Sequence, residues 1–282
     1  MKTKYFLYFF YFILLLSSCT KVEPDPVIKS CDILPDLTIA EGNSANAKMV
    51  NRCIEVWRNM KRTKYVHNSG KVIDETNGIY MFDCSGFAGE IIINKSLTDH
   101  YLDLMNNRRK VLDIDSTLYT PSRPLASNMY DYFRKDILKN NTTSTNDYWK
   151  VFMSIDSLKR GDLIVARFDD QWRIEAQDGN TGHVMIAWEI NSVNNHNDVV
   201  LQILDATSSP HSNDTRYCDF PVAEKNSGIG FGSMIFKIST NGHRRPYAFK
   251  WRLNSKYYYN LTQGNKKNNY NRLEGIIFAR PI

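Results

Sequence analysis

The chain has 282 residues, of which 42% are hydrophobic and 23% are charged. This balance excludes a disordered chain, a collagen-like chain and a polytopic membrane protein, and it predicts one large or two small globular domains. The formal net charge is +6 at pH 7, and it falls to +4 when Lys2 and Lys4 in the first 18 residues are set aside. So small an excess gives no concentrated basic surface, and the sequence therefore predicts no nucleic-acid partner.

The N-terminal segment has the pattern of an export signal. Lys2 and Lys4 precede an uninterrupted apolar run over residues 5–16, and two serines follow it. A helix of that length covers only about 18 Å, well short of the roughly 30 Å hydrocarbon core of a bilayer. The sequence therefore predicts a signal peptide over residues 1–18 rather than a permanent membrane span.

The end of this signal, Leu-Leu-Ser-Ser-Cys, resembles a bacterial lipobox. The resemblance implies that the chain is cleaved before Cys19, that Cys19 is lipidated, and that its acyl chains hold the protein to a membrane. Residues 19–40 contain Pro24 and Pro26 and no apolar periodicity, which predicts a tether. The expected location is the bacterial cell envelope, lipid-anchored at the outer membrane and facing the periplasm or the surface. The alternative is an ordinary secretory signal in which Cys19 is incidental.

The other cysteines are Cys31, Cys53, Cys84 and Cys218. They are too few and too scattered for a disulfide scaffold. The sequence contains no C-x-x-C pair, so it does not predict a structural zinc site. We expect neither a metal nor another cofactor. The sequence leaves open whether Cys31, Cys53 and Cys218 include a disulfide, and at least one of the four cysteines needs an explanation of its own.

Hydrophobic periodicity predicts helices followed by strands. Apolar residues three and four apart predict a helix over residues 43–61, capped by Asn43 or Ser44, and a weaker helix over residues 126–138. Short runs rich in Val, Ile and aromatic residues predict strands over residues 163–168, 183–190, 199–206, 234–238, 247–253 and 275–279. Helices first and strands afterwards predict an α+β domain over residues 41–282 with a mainly antiparallel sheet.

The segment Asp-Cys-Ser-Gly-Phe at residues 83–87 carries the first chemical signal. The apolar residues from Cys84 onward line one helical face, and Asp83 stands where an N-cap belongs. The first turn of a helix favours a thiolate and offers N–H groups to an oxyanion, so we expect Cys84 to be a nucleophile. The alternative is that Cys84 is only a small apolar residue in the core.

A nucleophilic thiolate needs a base, and the base needs an orienting group. His183 stands at the start of a predicted strand, and Asp205 stands near the end of the next one. If the polar segment 191–198 between the strands is an unpaired hairpin loop, the two residues face each other to within one position. We therefore expect a Cys84–His183–Asp205 triad. The alternatives are a structural strand-end histidine and a turn-forming aspartate, while Asn195, His196 and His211 compete for the orienting role, with His211 ranked below Asp205.

These residues resemble the NlpC-type cell-wall cysteine peptidases, which have a papain-like fold. The resemblance rests on three blocks in order: D-C-S-G-F at residues 83–87, K-R-G-D-L-I at residues 159–164 and G-H-V-M-I at residues 182–186. Asp205 lies where the family's third catalytic position falls, although members more usually carry His, Asn or Gln there. The match covers about residues 60–210.

The resemblance also implies substrate contacts and a substrate. It gives Tyr65 a place lining the site, and it gives Asp83 and Ser85 contact with the amino end of the substrate. The implied substrate is a peptidoglycan stem peptide cut near its D-glutamyl linkage. Three features depart from the family: no W-G-G follows Tyr65, 99 residues separate Cys84 from His183, and the extension over residues 211–282 has no counterpart in the minimal fold.

The predicted chemistry is therefore amide hydrolysis by a Cys-His-Asp triad through an acyl-enzyme. Two rivals remain: a papain-like amidase or acyltransferase acting on a lipid, a small amide or a polyamine conjugate, and a noncatalytic envelope binding module.

Three further motifs have structural interpretations. The glycine-rich run 228–232 predicts a turn or a close backbone approach, and Asn241-Gly242 predicts a hairpin. The aromatic residues between 250 and 259 indicate a half-buried strand edge or a glycan surface.

Overall fold

The structure is a computed structural model that describes residues 35–194, 198–240, 243–261 and 272–282. The predicted signal peptide 1–18, Cys19, Cys31 and most of the tether lie outside the described residues. Asn195, His196 and the predicted Asn241-Gly242 turn also lie outside them. Within the described ranges, no helix is long and apolar enough to cross a bilayer.

Helices form over the three segments where the apolar periodicity predicts them, and also where no helix was predicted. In chain order they are α1 (Ala45–Asn59), α2 (Cys84–Gly86), α3 (Asn94–Ser96), α4 (Thr98–Asn106), α5 (Ala126–Asp131) and α6 (Asp170–Ala176). The helices that were not predicted are α4 and α6. α2 runs into α3 through the π-helical turns Phe87–Ile93, and α5 continues as the π-helical Tyr132–Leu138. Of the two candidate caps for α1, Ser44 is the one whose side chain accepts a hydrogen bond, from the N–H of Ala47 at 3.1 Å.

Some strands lie between the helices in the chain, and the others come after the last helix. The first seven are β1 (Arg62–Tyr65), β2 (Val72–Asp74), β3 (Ile79–Phe82), β4 (Val111–Leu112), β5 (Leu118–Tyr119), β6 (Thr143–Thr145) and β7 (Trp149–Phe152). The later strands are β8 (Leu163–Phe168), β9 (Gly182–Asn194), β10 (Asp198–Thr207), β11 (Val222–Ala223), β12 (Gly228–Ile238), β13 (Pro246–Lys250), β14 (Tyr259–Asn260) and β15 (Leu273–Pro281).

One large sheet dominates the fold and confirms the α+β prediction. Its strand order is β14-β13-β12-β10-β9-β8-β15-β7-β6, and every neighbouring pair is antiparallel. A smaller sheet, β11-β1-β3-β2, contains parallel pairs on both sides of β1 and was not predicted. β15, from the end of the predicted extension, lies between β8 and β7, so the described strands β12 to β15 of that extension are built into the large sheet rather than appended to it.

The core occupies both faces of the large sheet. One face packs against the helices through residues such as Val184, Leu204 and Phe231, and the other face buries a second cluster that includes Ile203 and Phe249. Because side chains alternate along a strand, the positions on either side of Val184 and Leu204 point to the opposite face of the sheet. His183 and Asp205 occupy such positions.

The predicted register of the β9–β10 hairpin is wrong. Residues 191–194 belong to β9 rather than to a loop, Asp198 pairs with Asn194, and Leu204 pairs with Ile186. Two bulges in the ladder shift the register, and a bulge cannot be read from hydrophobic alternation. His183 and Asp205 are therefore diagonal neighbours on one face of the sheet, a separation that long polar side chains still span.

Residues 228–232, the glycine-rich run, form part of strand β12 rather than a turn. Other parts of the chain pack closely against their backbone, as the sequence predicts. Gly230 lies opposite Asp205 in β12, and a Cβ added to it would lie 2.7 Å from a carbon of Arg216. A Cβ added to Gly232 would lie 2.7 Å from both Asp214 and His211. Alternate glycines therefore leave one face of β12 bare, and three polar side chains pack onto it beside Asp205.

Candidate active site

Cys84 is the first residue of α2, as the sequence predicts. Asp83 caps the helix, because its Oδ1 accepts the N–H of Gly86 at 2.8 Å. The thiol is buried, with 4% of its residue surface exposed, and its Sγ lies 4.0 Å from the carbonyl oxygen of Gly182. The cap therefore fixes the sulfur at the positive end of a helical segment and directly beside the start of β9.

His183 reaches the sulfur because a glycine precedes it. Gly182 has φ +147, and a Cβ there would lie 2.1 Å from the carbonyl oxygen of Ala166. The imidazole Nε2 lies 2.5 Å from Oδ2 of Asp205, and the ring is close enough to Cys84 for the negative charge of Cys84 to raise the pKa of His183. Since Nε2 is taken by Asp205, Nδ1 is the ring nitrogen left to exchange a proton with the sulfur.

Electrostatics favour a protonated His183. Burial lowers the pKa of this imidazole, but the negative charge of Cys84 and hydrogen bonds with Asp205 and Cys84 outweigh burial and raise the pKa to about 10. The site therefore favours a positively charged ring between two anions.

Asp205 is fully buried, and its two oxygens are shared among three basic side chains. Oδ2 accepts from His183 and, at 2.9 Å, from Nε2 of His211, while Oδ1 accepts from Nη2 of Arg216 at 2.5 Å. Burial raises the pKa of this carboxyl, but the charges of His211 and Arg216 and hydrogen bonds from both histidines outweigh it, so the pKa lies well below its ordinary value.

A second layer of buried charge supports Asp205, and the sequence reasoning missed most of it. Oδ2 of Asp214 accepts from the backbone N–H of His211 and from Nη1 of Arg216, both at 2.7 Å. Nδ1 of His211 lies 3.0 Å from the carbonyl oxygen of Trp251, so only a doubly protonated ring makes both of its hydrogen bonds. His211 thus contacts Asp205 rather than competing with it. The alternate glycines of β12 were the one sequence signal for this layer.

The ligand atoms of His183, Asp205 and His211 lie within 4.8 Å of one another, close enough to suggest a metal site. Their spacing fits hydrogen bonds better. A tetrahedral ion at about 2.0–2.1 Å from each ligand would hold ligand atoms roughly 3.3 Å apart, whereas Oδ2 of Asp205 lies 2.5 and 2.9 Å from the two imidazole nitrogens. The guanidinium of Arg216 already supplies positive charge to the same carboxylate.

Two clefts adjoin at the Cys84–His183 pair. The Cys84 cleft has a volume of about 180 Å³ and is lined by residues that include Cys84, Tyr119 and Arg123. The His183 cleft has a volume of about 440 Å³ and is lined by His183 together with aromatic and arginine side chains. Tyr65 lines both clefts, which fits its expected position. Burial and the negative charges of Cys84 and Asp83 raise the pKa of its hydroxyl.

The His183 cleft is built largely from the C-terminal segment. Its walls include Trp251, Arg252, Tyr257, Tyr258 and Tyr259. The ring centroid of Trp251 lies 4.8 Å from that of His183 and 4.4 Å from that of His211. The aromatic run is therefore neither a plain strand edge nor an isolated surface, because part of it packs directly on the histidines.

Asp83 and Ser85 flank Cys84 in its cleft, and both are paired with Arg123, which the sequence reasoning missed. Arg123 donates from Nη2 to Oδ2 of Asp83 and, at 2.7 Å, from Nη1 to the hydroxyl oxygen of Ser85. All three residues are buried. Nothing in the local spacing around Arg123 indicated this contact, because 38 residues separate it from Ser85.

The structure thus brings together all six residues that the sequence predicted for the site. Comparison of the chain with protein-family models, with curated proteins and with solved structures finds no match. The function must therefore be argued from the geometry and the motifs alone.

Proposed function

We propose that the protein is an envelope-anchored cysteine hydrolase of papain-like, NlpC-type fold that cleaves amide bonds in peptidoglycan stem peptides. The observation that carries the proposal is the contact chain from the Cys84 thiol through the His183 ring to the buried Asp205 carboxylate. A thiol, an imidazole and an orienting acid in that order make an activated nucleophile.

The first half-reaction forms a thioester. The Cys84 thiolate attacks the amide carbonyl, and the backbone N–H of Cys84 contributes to the oxyanion hole, where one donor is typically worth about 3 kcal/mol. The tetrahedral intermediate collapses, the C–N bond breaks, and Nδ1 of protonated His183 donates its proton to the leaving amine. The products are a free amine and an acyl-enzyme with a neutral imidazole.

The second half-reaction releases the acyl group. Neutral His183 takes a proton from water, the hydroxide attacks the thioester carbonyl, and the C–S bond breaks. A carboxylic acid leaves and loses its proton to solvent, and the thiolate–imidazolium pair is restored. Asp205 holds Nε2 of His183 throughout, which fixes the ring orientation and keeps Nδ1 directed at the sulfur.

The clefts support an extended substrate lying across Cys84. The acyl portion fits the cleft that Cys84 lines, and the leaving amine fits the cleft that His183 lines, because His183 is its proton donor. The choice of stem peptides rests on the sequence resemblance and on the envelope location. Cys218 is disulfide-bonded, which supports export to an oxidising compartment.

The aromatic and arginine walls of the His183 cleft favour a second candidate. Such walls suit a bulky leaving group that a minimal cell-wall peptidase would not need. The second candidate is therefore an amidase or acyltransferase that uses the same triad on another acyl substrate. Digestion of purified muropeptides, read by mass spectrometry against a Cys84→Ala control, separates the two, since only the wall enzyme releases new peptide fragments.

A thiol-labelling experiment tests whether Cys84 is activated at all. We expect iodoacetamide at neutral pH to alkylate Cys84 rapidly and His183→Ala to slow that labelling by about 100-fold or more, because the imidazolium no longer stabilises the thiolate. Peptide mapping by mass spectrometry gives both rates. Cys53 is an internal control, since it is a free, fully buried thiol whose pKa burial raises. Equal, slow labelling of Cys84 in both proteins would instead indicate a noncatalytic binding module.

The pH dependence should distinguish the acid role of His183 from its pairing role. Because the pKa of His183 is raised to about 10, the ring keeps its proton below that pH and loses it above. Hydrolysis should therefore fall as pH rises through about 10, whereas alkylation of Cys84, which needs only the thiolate, should not. Parallel measurement of both rates between about pH 7 and pH 11 checks this. A fall in hydrolysis near 6.5, the ordinary imidazole value, would contradict it.

A further inference from the structure

Arg123 occupies the polar corner of the Cys84 cleft. Its guanidinium bonds Oδ2 of Asp83 and, at 2.7 Å, the hydroxyl oxygen of Ser85. The Ser85 hydroxyl in turn donates to Oδ1 of Asp83 at 3.3 Å, and the N–H of Gly86 donates to the same oxygen. Every side-chain oxygen of Asp83 and Ser85 therefore has a partner within the protein.

This pairing conflicts with the role that the resemblance implies for Asp83 and Ser85. A substrate ammonium binds where an anion lacks compensation, and the Asp83 charge is already matched by Arg123. The remaining acid nearby, Glu90, lies 3.2 Å from the ammonium of Lys71 and 3.7 Å from Nε of Arg123. Among the described residues, an entering ammonium would meet no unmatched negative charge on this side of Cys84.

The other walls of the cleft suit an uncharged group. Tyr65, Tyr119, Leu125 and Ala126 line it, and they offer apolar surface with phenolic hydroxyls. An acylated nitrogen carries no charge and can enter this surface, whereas an ammonium would lose its hydration without gaining an ionic partner.

Resting on the proposed function, we propose that Arg123 is a specificity-determining residue that selects acyl donors whose amino nitrogen is itself acylated. The enzyme then cuts within blocked chains rather than next to a free amino end. For a stem peptide, this means that the reaction precedes any step that removes the acyl substituent from its amino end.

A matched pair of dipeptidyl chloromethyl ketones, differing only in acetylation of the amino end, tests the inference. In both, the Cys84 thiolate displaces chloride and forms a thioether, and mass gain at Cys84 gives the rate. We expect the acetylated probe to react at least about tenfold faster with the wild-type protein, a difference of about 1.4 kcal/mol. Equal rates, or faster reaction of the free-amine probe, would overturn the inference.

Two variants make the test specific to charge. Arg123→Met leaves Asp83 unmatched and should reverse the preference toward the free-amine probe, whereas Arg123→Met combined with Asp83→Asn is neutral and should show no strong preference. Should either variant fail to fold, the ratio of the two probe rates in the wild-type protein still decides whether acylated donors are preferred. Absence of iodoacetamide labelling at Cys84 would refute the proposed function, whereas labelling by iodoacetamide without labelling by either probe would refute only the inference.

Discussion

Asp205→Asn is expected to lower kcat by about 10,000-fold, the loss seen when the orienting acid of a catalytic triad is neutralised. The Asp205 carboxylate accepts from two imidazoles on one oxygen and from Arg216 on the other. An asparagine has only one acceptor oxygen, so its NH₂ group must face either the two imidazoles or Arg216. His183 then loses either its hydrogen bond or the support that holds the carboxyl group in place. Steady-state hydrolysis of the muropeptide substrate, once identified, measures the loss.

A pH profile separates this positioning role from simple structural damage. Removing the carboxylate removes a hydrogen bond that raises the pKa of His183, so the alkaline fall in hydrolysis should move from about 10 to lower pH in Asp205→Asn. Cys84→Ala provides the background rate. A loss of less than about tenfold with an unmoved profile would show that Asp205 does not orient the base.

Local sequence patterns were enough to predict that Cys84 and His183 lie together, at the start of a helix and of a strand. Asp83 caps α2 and Cys84 begins it, while the positive φ of Gly182 lets His183 reach the sulfur. Each of these features depends on neighbours within three residues. Such short-range rules depend on backbone geometry that the sequence encodes directly. The short run rich in Val, Ile and aromatic residues that predicts β8 is of the same kind, and its bounds at residues 163–168 were correct.

Asp205 contacts His183, but not through the register that the sequence predicts. The expected register put the two residues within one position of each other, whereas two extra residues in β9 make them diagonal neighbours. A one-residue shift in register turns a side chain to the other face of the sheet, so the expected register did not by itself fix the contact. The contact depends on both side chains pointing to the same face, where Oδ2 of Asp205 reaches Nε2 of His183.

The residues that the sequence reasoning missed are those whose partners are remote or lie in irregular segments. Arg123 meets Asp83 across 40 residues, and Arg216 meets Asp205 from a short 3₁₀ turn, Thr215–Tyr217. No periodic pattern predicts such contacts. Glycine at alternate positions 228, 230 and 232 was a usable signal, since a bare strand face requires other side chains to cover it.

Arg216→Met is expected to destabilise the fold by about 3–5 kcal/mol, because removing one partner of a buried ion pair leaves its counter-charges uncompensated. The guanidinium is fully buried and pairs with both Asp205 and Asp214. Its Nε also donates to the carbonyl oxygen of Gly228 at 2.7 Å. Thermal unfolding should show a Tm lower by roughly 10 °C. Arg216→Lys should lower the Tm less, because a positive charge remains although the planar guanidinium with its several donors is lost.

A second buried pair, remote from Cys84, shows whether the effect on the site is specific. Arg280 donates to both oxygens of the buried Asp162, at 2.8 and 2.7 Å. Arg280→Met should therefore also lower the Tm, yet iodoacetamide labelling of Cys84 should keep its wild-type rate in the folded protein. Arg216→Met should slow that labelling, because Asp205 loses a support and with it the His183 ring. Equal labelling rates in the two variants would mean that Arg216 stabilises the sheet without positioning the triad.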